Sequence, residues 1–178
     1  MLNTLQSAKR ISDHILANPK ILPVLDLDAV LLDAGHRITL NPDGSLDLNT
    51  YRKESTYDNI MRDKCLPLMG VVRALNAANR PYYVATARVL CEGSQALLQQ
   101  RNITPVLAIS RQGEKDHRKD WDLKVCGIQE HFSPDQFRKI LLIDDCVSNC
   151  DAFINALGAW AINIDYNNTP KKWLQDLL

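Results

Sequence analysis

The chain has 178 residues, a length that suits one domain with a small insertion, and 46% of them are hydrophobic, which is enough for a sizeable core. Lys and Arg total 21 and so do Asp and Glu, so no overall basic charge attracts nucleic acid. No apolar run reaches the roughly 18 residues of a membrane helix. Charged residues at 9, 10 and 13 interrupt the apolar core that a signal peptide requires.

Five cysteines are scattered along the chain without a Cys-x-x-Cys pair, and this pattern suits a reducing cytosol more than a disulfide framework. Cys146 and Cys150 lie four residues apart, but no histidine follows at the spacing of a zinc site. We therefore expect a single cytoplasmic domain spanning residues 1–178, with no membrane partner.

The first 18 residues carry apolar side chains at helical spacing, and Asn18-Pro19 ends the pattern. The repeating positions are Leu2, Leu5, Ala8, Ile11, Ile15 and Leu16. This spacing predicts an amphipathic N-terminal helix. Its apolar face either packs on the domain or meets a second copy of the chain in a homo-oligomer.

A strand that ends in two carboxylates follows, in the segment 21–30. Its apolar run is typical of a parallel strand buried on both faces. Residues two apart in a strand point to the same side, so Asp26 and Asp28 leave the sheet together at its carboxyl end. Neighbouring carboxylates repel each other unless a cation lies between them or one holds a proton. A Mg²⁺ ion, or a division into acid and base, resolves that repulsion.

Residues 33–64 predict a flap and small cap over the mouth of the site. Two short apolar segments flank the turn sequence 41–44, which predicts a β-hairpin, and the polar stretch 49–63 suits a short helix or irregular cap. Beyond it, strands and helices alternate, as in βαβ units with a parallel sheet. We expect four further strands, at 81–88, 104–110, 140–143 and 159–164, and a closing helix at 170–178.

Polar side chains follow three of these strands. Asp26 and Asp28 follow the first, Thr86 and Arg88 end the second, and Asp144-Asp145 follow the fourth, while Lys124 lies between the third and fourth strands. Carboxylates from two strands can share a hard cation. A hydroxyl and an ammonium can hold phosphate oxygens, and a carboxylate can accept a phosphoryl group.

These motifs, in this order, resemble the haloacid dehalogenase superfamily of Mg²⁺-dependent phosphatases. Asp26-Leu-Asp28 is similar to its first motif, Thr86 to its second, Lys124 to its third and Asp144-Asp145 to its fourth. The resemblance implies an α/β fold: a Rossmann-like three-layer sandwich with a central five-stranded parallel sheet and a small cap after the first strand. Ala29 departs from the family, which usually has Gly there. A positive φ at this position would make Ala cost roughly 1 kcal/mol.

The same resemblance implies a role for each residue. Asp26 would be the nucleophile and Asp28 the general acid and base. Mg²⁺ would be held by Asp26, the backbone carbonyl of Asp28 and Asp145, with Asp144 as a ligand or just behind. Thr86, Lys124 and Arg88 would neutralise the phosphate oxygens.

A narrower resemblance is to the 3'-phosphatase domain of phage-type polynucleotide kinase. Arg37 stands eleven residues after Asp26, Thr86-Ala-Arg88 is similar to its Ser-Gly-Arg, and Arg118-Lys-Asp120 precedes Lys124 at the same spacing. It implies that Arg37 and Arg88 clamp the phosphate and that Asp120 orients Arg88 or Lys124. The phosphate loop of a kinase half is absent from the sequence.

The leading prediction from these patterns is removal of 3'-phosphates from DNA or RNA ends. A 5'-nucleotidase acting on free mononucleotides is the second, favoured by the zero net charge and the 6% aromatic content, because polynucleotides usually need basic grooves or stacking platforms. A non-catalytic scaffold on the same fold is a third alternative, which Ala29 and the N-terminal helix keep open.

Overall fold

A computed structural model describes residues 4–44 and 46–164, and its centre is the predicted five-stranded parallel sheet. Its strands are β1 (Leu22–Leu25), β4 (Tyr83–Val89), β5 (Leu107–Arg111), β6 (Ile140–Asp144) and β7 (Trp160–Asn163). They lie in the order β5-β4-β1-β6-β7, and every neighbouring pair is parallel. Two further short strands, β2 (Leu32–Asp33) and β3 (Lys64–Cys65), pair antiparallel outside this sheet.

Helices cover both faces of the sheet, which confirms the three-layer sandwich. They are α1 (Thr4–Ala17), α2 (Leu48–Glu54), α3 (Tyr57–Met61), α4 (Met69–Ala77), α5 (Glu92–Gln100), α6 (Asp120–His131), α7 (Pro134–Phe137) and α8 (Val147–Leu157). Successive residues of β1 point to opposite faces, so Leu25 packs in a core with α1, α4 and α5, whereas Val24 packs in a second core with α6 and α8.

The N-terminal helix packs on the domain itself. Ile11 and Ile15 of α1 are fully buried in the same core as Val71 and Val72 of α4. The predicted closing helix at 170–178 lies outside the described residues. No helix in the described part of the chain is long and apolar enough to cross a membrane.

The insertion between β2 and β3 differs from the predicted hairpin flap. A 3-10 helix at Gly35–Arg37 is followed by a single bridge between Leu40 and Leu46, and then by α2 and α3. The helices α2 and α3 fall in the stretch 49–63 where a short helix was predicted, and the Asp47 carboxylate begins α2 by accepting hydrogen bonds from the backbone N–H groups of Asn49 and Thr50. The pairing of β2 with β3 then closes the base of the insertion.

Candidate active site

The predicted catalytic residues meet at the carboxyl edge of the sheet. Lys124 is fully buried, and its Nζ donates hydrogen bonds to Oδ2 of Asp26 at 2.8 Å and to Oδ2 of Asp144 at 2.7 Å. Asp26 directly follows β1 and Asp144 ends β6, two strands that are neighbours in the sheet. The fold thus brings together residues that are 98 and 20 positions apart in the chain.

A close approach of α6 to the sheet puts Lys124 there. Gly127, one turn later on α6, faces Ile109 of β5, and a Cβ at this glycine would lie only 2.4 Å from Cγ2 of Ile109. Only glycine lets the helix lie this near the strand. The buried face of α6 therefore delivers an ammonium group to the sheet edge.

Asp26, Asp144 and Asp145 each offer a carboxylate oxygen, and these oxygens lie within 4.8 Å of one another. With Lys124 they form what we call the lysine–carboxylate cluster. Three carboxylates against one ammonium leave an excess of negative charge, which a divalent cation with oxygen ligands would balance. The residues present therefore fit the divalent metal ion that the fold implies.

The pKa values in this cluster reflect the crowding of carboxylates. Partial desolvation raises the pKa of Asp145 to about 6 although this residue still reaches solvent, and the neighbouring Asp144 adds to the rise. Burial also raises the pKa of Asp26 above its ordinary value, although Lys124 opposes that rise. Burial alone would lower the pKa of Lys124, but Asp26 and Asp144 outweigh it and raise the pKa, so the ammonium stays charged.

A second group, the arginine–carboxylate cluster, consists of the buried residues Arg37, Asp63 and Arg88 and the partly exposed Asp28. Arg88 donates through Nε to Oδ2 of Asp28 at 3.1 Å, and through Nη2 both to Oδ1 of Asp28 and to Oδ2 of Asp63, the latter at 2.8 Å. Arg37 donates to both oxygens of Asp63, each at 3.0 Å. Its guanidinium carbon also lies 4.6 Å from the ring centre of Tyr51.

Two neighbouring cavities open at this edge. A cavity of about 280 Å³ is lined by Asp26, Asp28, Thr86 and Asp145, together with Ala29 and Asp120. A second, of about 140 Å³, lies on the side of the insertion, and Ala87 borders both. Its polar lining includes Arg37, Tyr51, Arg52, Ser55, Arg88, Ser94, Arg111 and Glu114. The two cavities therefore adjoin at Ala87.

The profile of the protein family described as Bacteriophage T5 5'-deoxynucleotidase matches residues 15–114, more than half of the chain. The chain belongs to this family. No curated protein matches it. The matched residues include the whole arginine–carboxylate cluster and the lining of the second cavity, whereas Lys124, Asp144 and Asp145 lie beyond them.

Solved structures with this fold include haloacid dehalogenase-like hydrolases. One, from Streptococcus pneumoniae, has a TM-score of 0.61 at 15% identity over 89% of this chain and 91% of that chain. Another, from Ehrlichia chaffeensis, has a TM-score of 0.53 at 12% identity over 88% and 96%. A chain of a Pnkp1/Rnl/Hen1 complex has a TM-score of 0.62 at 18% identity over 84% of this chain, but only 47% of its own length is covered.

These likenesses confirm the haloacid dehalogenase fold that the motifs predicted. Together with membership of the deoxynucleotidase family, the fold supports a phosphatase-type hydrolase. The motif residues Asp26, Asp28, Thr86, Lys124 and Asp145 line or adjoin one cleft, as the resemblance implies. Thr86 is fully buried, and its hydroxyl accepts a hydrogen bond from the backbone N–H of Arg88 at 3.2 Å.

Three side chains predicted to handle the phosphate have other partners in the structure. Arg37 was expected to clamp it, but this side chain is buried against Asp63 instead of reaching into the cleft of Asp26. The Arg88 guanidinium donates hydrogen bonds to the carboxylates of Asp28 and Asp63. Asp120 lines the cleft, but it accepts a hydrogen bond from Arg111 at 3.2 Å and not from Arg88 or Lys124, the partners expected for it.

Asp63 belongs to the arginine–carboxylate cluster although no sequence pattern predicted it. It is fully buried, yet it follows a polar stretch and carries no local pattern that marks it as part of a site. Only the folding of the insertion brings it to Arg37 and Arg88.

Ala29 has a φ of 56°, in the left-handed region that favours glycine. Its N–H donates to the carbonyl of Leu32 at 2.9 Å, in the turn that leads from Asp28 to β2. The family's usual glycine therefore has a physical reason, and alanine strains the backbone here.

Proposed function

We propose that the protein is a Mg²⁺-dependent phosphomonoesterase that hydrolyses deoxynucleoside 5'-monophosphates through an aspartyl-phosphate on Asp26. One observation carries the chemistry: Asp26 and Asp28 are two residues apart, yet they lie in different electrostatic environments. Asp26 is bound by the buried ammonium of Lys124, whereas Asp28 is held by the guanidinium of Arg88. Carboxylates with such different surroundings can take different roles.

In the first step, a carboxylate oxygen of Asp26 attacks phosphorus, and the bond to the ester oxygen breaks as the aspartyl-phosphate bond forms. Asp28, protonated on one oxygen while the other still accepts a hydrogen bond from Arg88, gives that proton to the leaving oxygen. In the second step, Asp28 takes a proton from water, whose oxygen attacks phosphorus and releases Asp26 and inorganic phosphate. Thr86 and Lys124 stabilise the charge on the phosphate oxygens.

Asp26, Asp144 and Asp145, with the backbone carbonyl of Asp28, would hold Mg²⁺. When bound, the ion would neutralise charge on the phosphate. The ion and Lys124 together would also relieve the repulsion among the three carboxylates. This assignment rests on the oxygen-only set of ligands in the lysine–carboxylate cluster.

A mononucleotide substrate is supported by the family and by the second cavity. The family match spans residues 15–114 and so contains every residue that lines this cavity. Two of its arginines, Arg37 and Arg88, already pair with carboxylates and are not exposed to a polynucleotide backbone. A chain with equal numbers of acidic and basic residues also lacks the overall positive charge that favours a long polyanion.

Removal of 3'-phosphates from polynucleotide ends is the second candidate. It is favoured by the Arg118-Lys-Asp120 pattern before Lys124 and by the likeness in fold to a chain of the Pnkp1/Rnl/Hen1 complex. A non-catalytic scaffold remains the alternative from another class.

A substrate panel separates these candidates. The purified protein would be given a deoxynucleoside 5'-monophosphate, the matching ribonucleotide, a 3'-phosphorylated oligonucleotide and a nitrophenyl phosphate, each with Mg²⁺ or with EDTA. We expect the highest kcat/KM for the deoxynucleotide and no turnover with EDTA. A preference for the oligonucleotide would replace the proposed substrate with the second candidate, and inactivity on all four would favour the scaffold.

A further inference from the structure

We propose that Asp63, on the insertion, is a positioning residue that sets the orientation of Asp28 through Arg88. The inference rests on the proposed function, because it concerns the general acid of that reaction. Asp63 does not touch Asp28. It acts on Arg88, whose guanidinium lies between the two carboxylates.

Several hydrogen bonds fix the side chain of Asp63. Its side chain is fully buried, and both of its oxygens accept hydrogen bonds from Arg37 at 3.0 Å. Oδ2 also accepts from Nη2 of Arg88 at 2.8 Å. Arg37 itself is fixed further by the hydroxyl of Ser55 at 2.8 Å and by the ring of Tyr51. Asp63 is therefore held at several points before it meets Arg88.

Backbone hydrogen bonds also fix the position of Asp63. Asp63 immediately precedes β3, which pairs with β2, and its own N–H donates to the carbonyl of Ile60 at 3.0 Å. The chain reaches β2 from Asp28 through one tight turn, with Asp28 bridged to Leu32. Asp28 and Asp63, which both accept hydrogen bonds from Arg88, thus precede the two paired strands β2 and β3.

Arg88 passes this rigidity on to Asp28. Its planar fork contacts both oxygens of Asp28, so the plane of the guanidinium sets the plane of the carboxylate. With two carboxylates and two guanidinium groups, the cluster is balanced in charge and fully paired. Removal of the Asp63 carboxylate would leave Asp28 as the only carboxylate of the cluster that pairs with Arg88, and the Arg88 side chain would be less fixed.

The chemical consequence depends on the leaving group. A deoxynucleoside alkoxide is a strong base and needs the proton of Asp28, whereas a nitrophenolate leaves readily without one. Misplacement of Asp28 should therefore slow the nucleotide far more than the nitrophenyl ester. General damage to the fold or to phosphate binding should affect both substrates alike.

The test is Asp63→Asn, which keeps the shape and removes the charge. We expect kcat for the deoxynucleotide to fall about 100-fold and kcat for nitrophenyl phosphate to fall less than about fivefold. The difference between the two decreases measures the contribution of a correctly positioned general acid. Asp116→Asn is the matched control, because Asp116 also accepts two hydrogen bonds from one guanidinium, that of Arg118, outside the cluster. It should leave the ratio of the two rates unchanged.

A second variant covers the risk that an unpaired Arg37 prevents folding. Asp63→Asn combined with Arg37→Met removes one positive and one negative charge together, and it should fold and show the same selective loss. An equal fall for both substrates in the folded variants, or no change in their ratio, would overturn this inference and leave the proposed function standing. Inactivity of the wild-type protein on both substrates would overturn the proposed function and this inference with it.

Discussion

Two charge clusters meet at the edge of the sheet, and they are built on opposite principles. The lysine–carboxylate cluster sets Asp26, Asp144 and Asp145 against the single ammonium of Lys124. The arginine–carboxylate cluster sets Asp28 and Asp63 against Arg37 and Arg88. The first carries excess negative charge, and the second is balanced.

The difference separates a reactive group from its support. Buried charges are tolerated when they are paired and hydrogen-bonded, so the balanced cluster can stand without a ligand. The acidic cluster is incomplete without a cation and holds the carboxylate that we expect to attack phosphorus. In the proposed mechanism, the lysine–carboxylate cluster binds the metal ion and attacks phosphorus, and the arginine–carboxylate cluster positions the general acid.

The largest expected effect is the loss of turnover when Asp26 of the lysine–carboxylate cluster is replaced. Asp26→Asn removes the nucleophile, and we expect turnover to fall at least about 10⁴-fold. The fold should survive, since an amide can still accept from the backbone N–H of Leu27 as Asp26 does and no longer repels Asp144. Steady-state rates and thermal unfolding check this, and a variant that keeps near wild-type rates would refute the nucleophile.

Loss of a cation from each cluster compares the two directly. Lys124→Met leaves Asp26 and Asp144 side by side, and we expect the metal-free protein to lose about 3–5 kcal/mol of unfolding free energy. Mg²⁺ should restore part of that loss. Arg37→Met is the matched variant, and Mg²⁺ should not restore its stability. Urea unfolding with and without Mg²⁺ measures both, and equal responses would contradict the contrast.

Protons and Mg²⁺ should compete for the acidic cluster. The pKa of Asp145 is about 6, so below this pH the carboxylate binds a proton and Mg²⁺ affinity should fall about tenfold per pH unit. Since the folded pKa lies above the ordinary value, the contribution of Asp145 to metal-free stability should grow as the pH falls through 6.

Thermal shifts by Mg²⁺ at several pH values measure this competition. The shift at neutral pH should vanish in Asp145→Asn and persist in Asp13→Asn, which changes an exposed carboxylate on α1. A Mg²⁺ shift that is the same at pH 5 and pH 8 would argue against Asp145 as a ligand.

The smallest expected effect is at the turn between the clusters. Ala29→Gly should relieve the strain at φ 56°, about 1–2 kcal/mol, against about 0.5–1 kcal/mol of extra chain entropy in the unfolded state. We expect a net gain of about 0.5–1 kcal/mol in urea unfolding. Ala78→Gly, at a φ of −89°, is the control and should destabilise the protein. A loss of stability in Ala29→Gly would contradict the strain.

The sequence predicted every member of the lysine–carboxylate cluster but only part of the arginine–carboxylate cluster. Asp26, Lys124, Asp144 and Asp145 follow strands or lie on a helix at spacings that motif and periodicity expose, and the sheet then gathers them. Arg37 and Arg88 were identified, but their carboxylate partner was not. The predicted hairpin is reduced to a single bridge between Leu40 and Leu46, whereas α2 and α3 lie in the polar stretch where a short helix was predicted.

The amino-acid sequence by itself determined the parallel sheet, its carboxyl edge and the carboxylates that gather there, because buried apolar runs that end in carboxylates predict both a strand and the position of those carboxylates. Only the tertiary structure decided what Arg37, Arg88 and Asp120 contact, and that Asp63 belongs with them. The physical reason is that long cationic side chains choose among several carboxylates within reach, and burial of the insertion selects one of them.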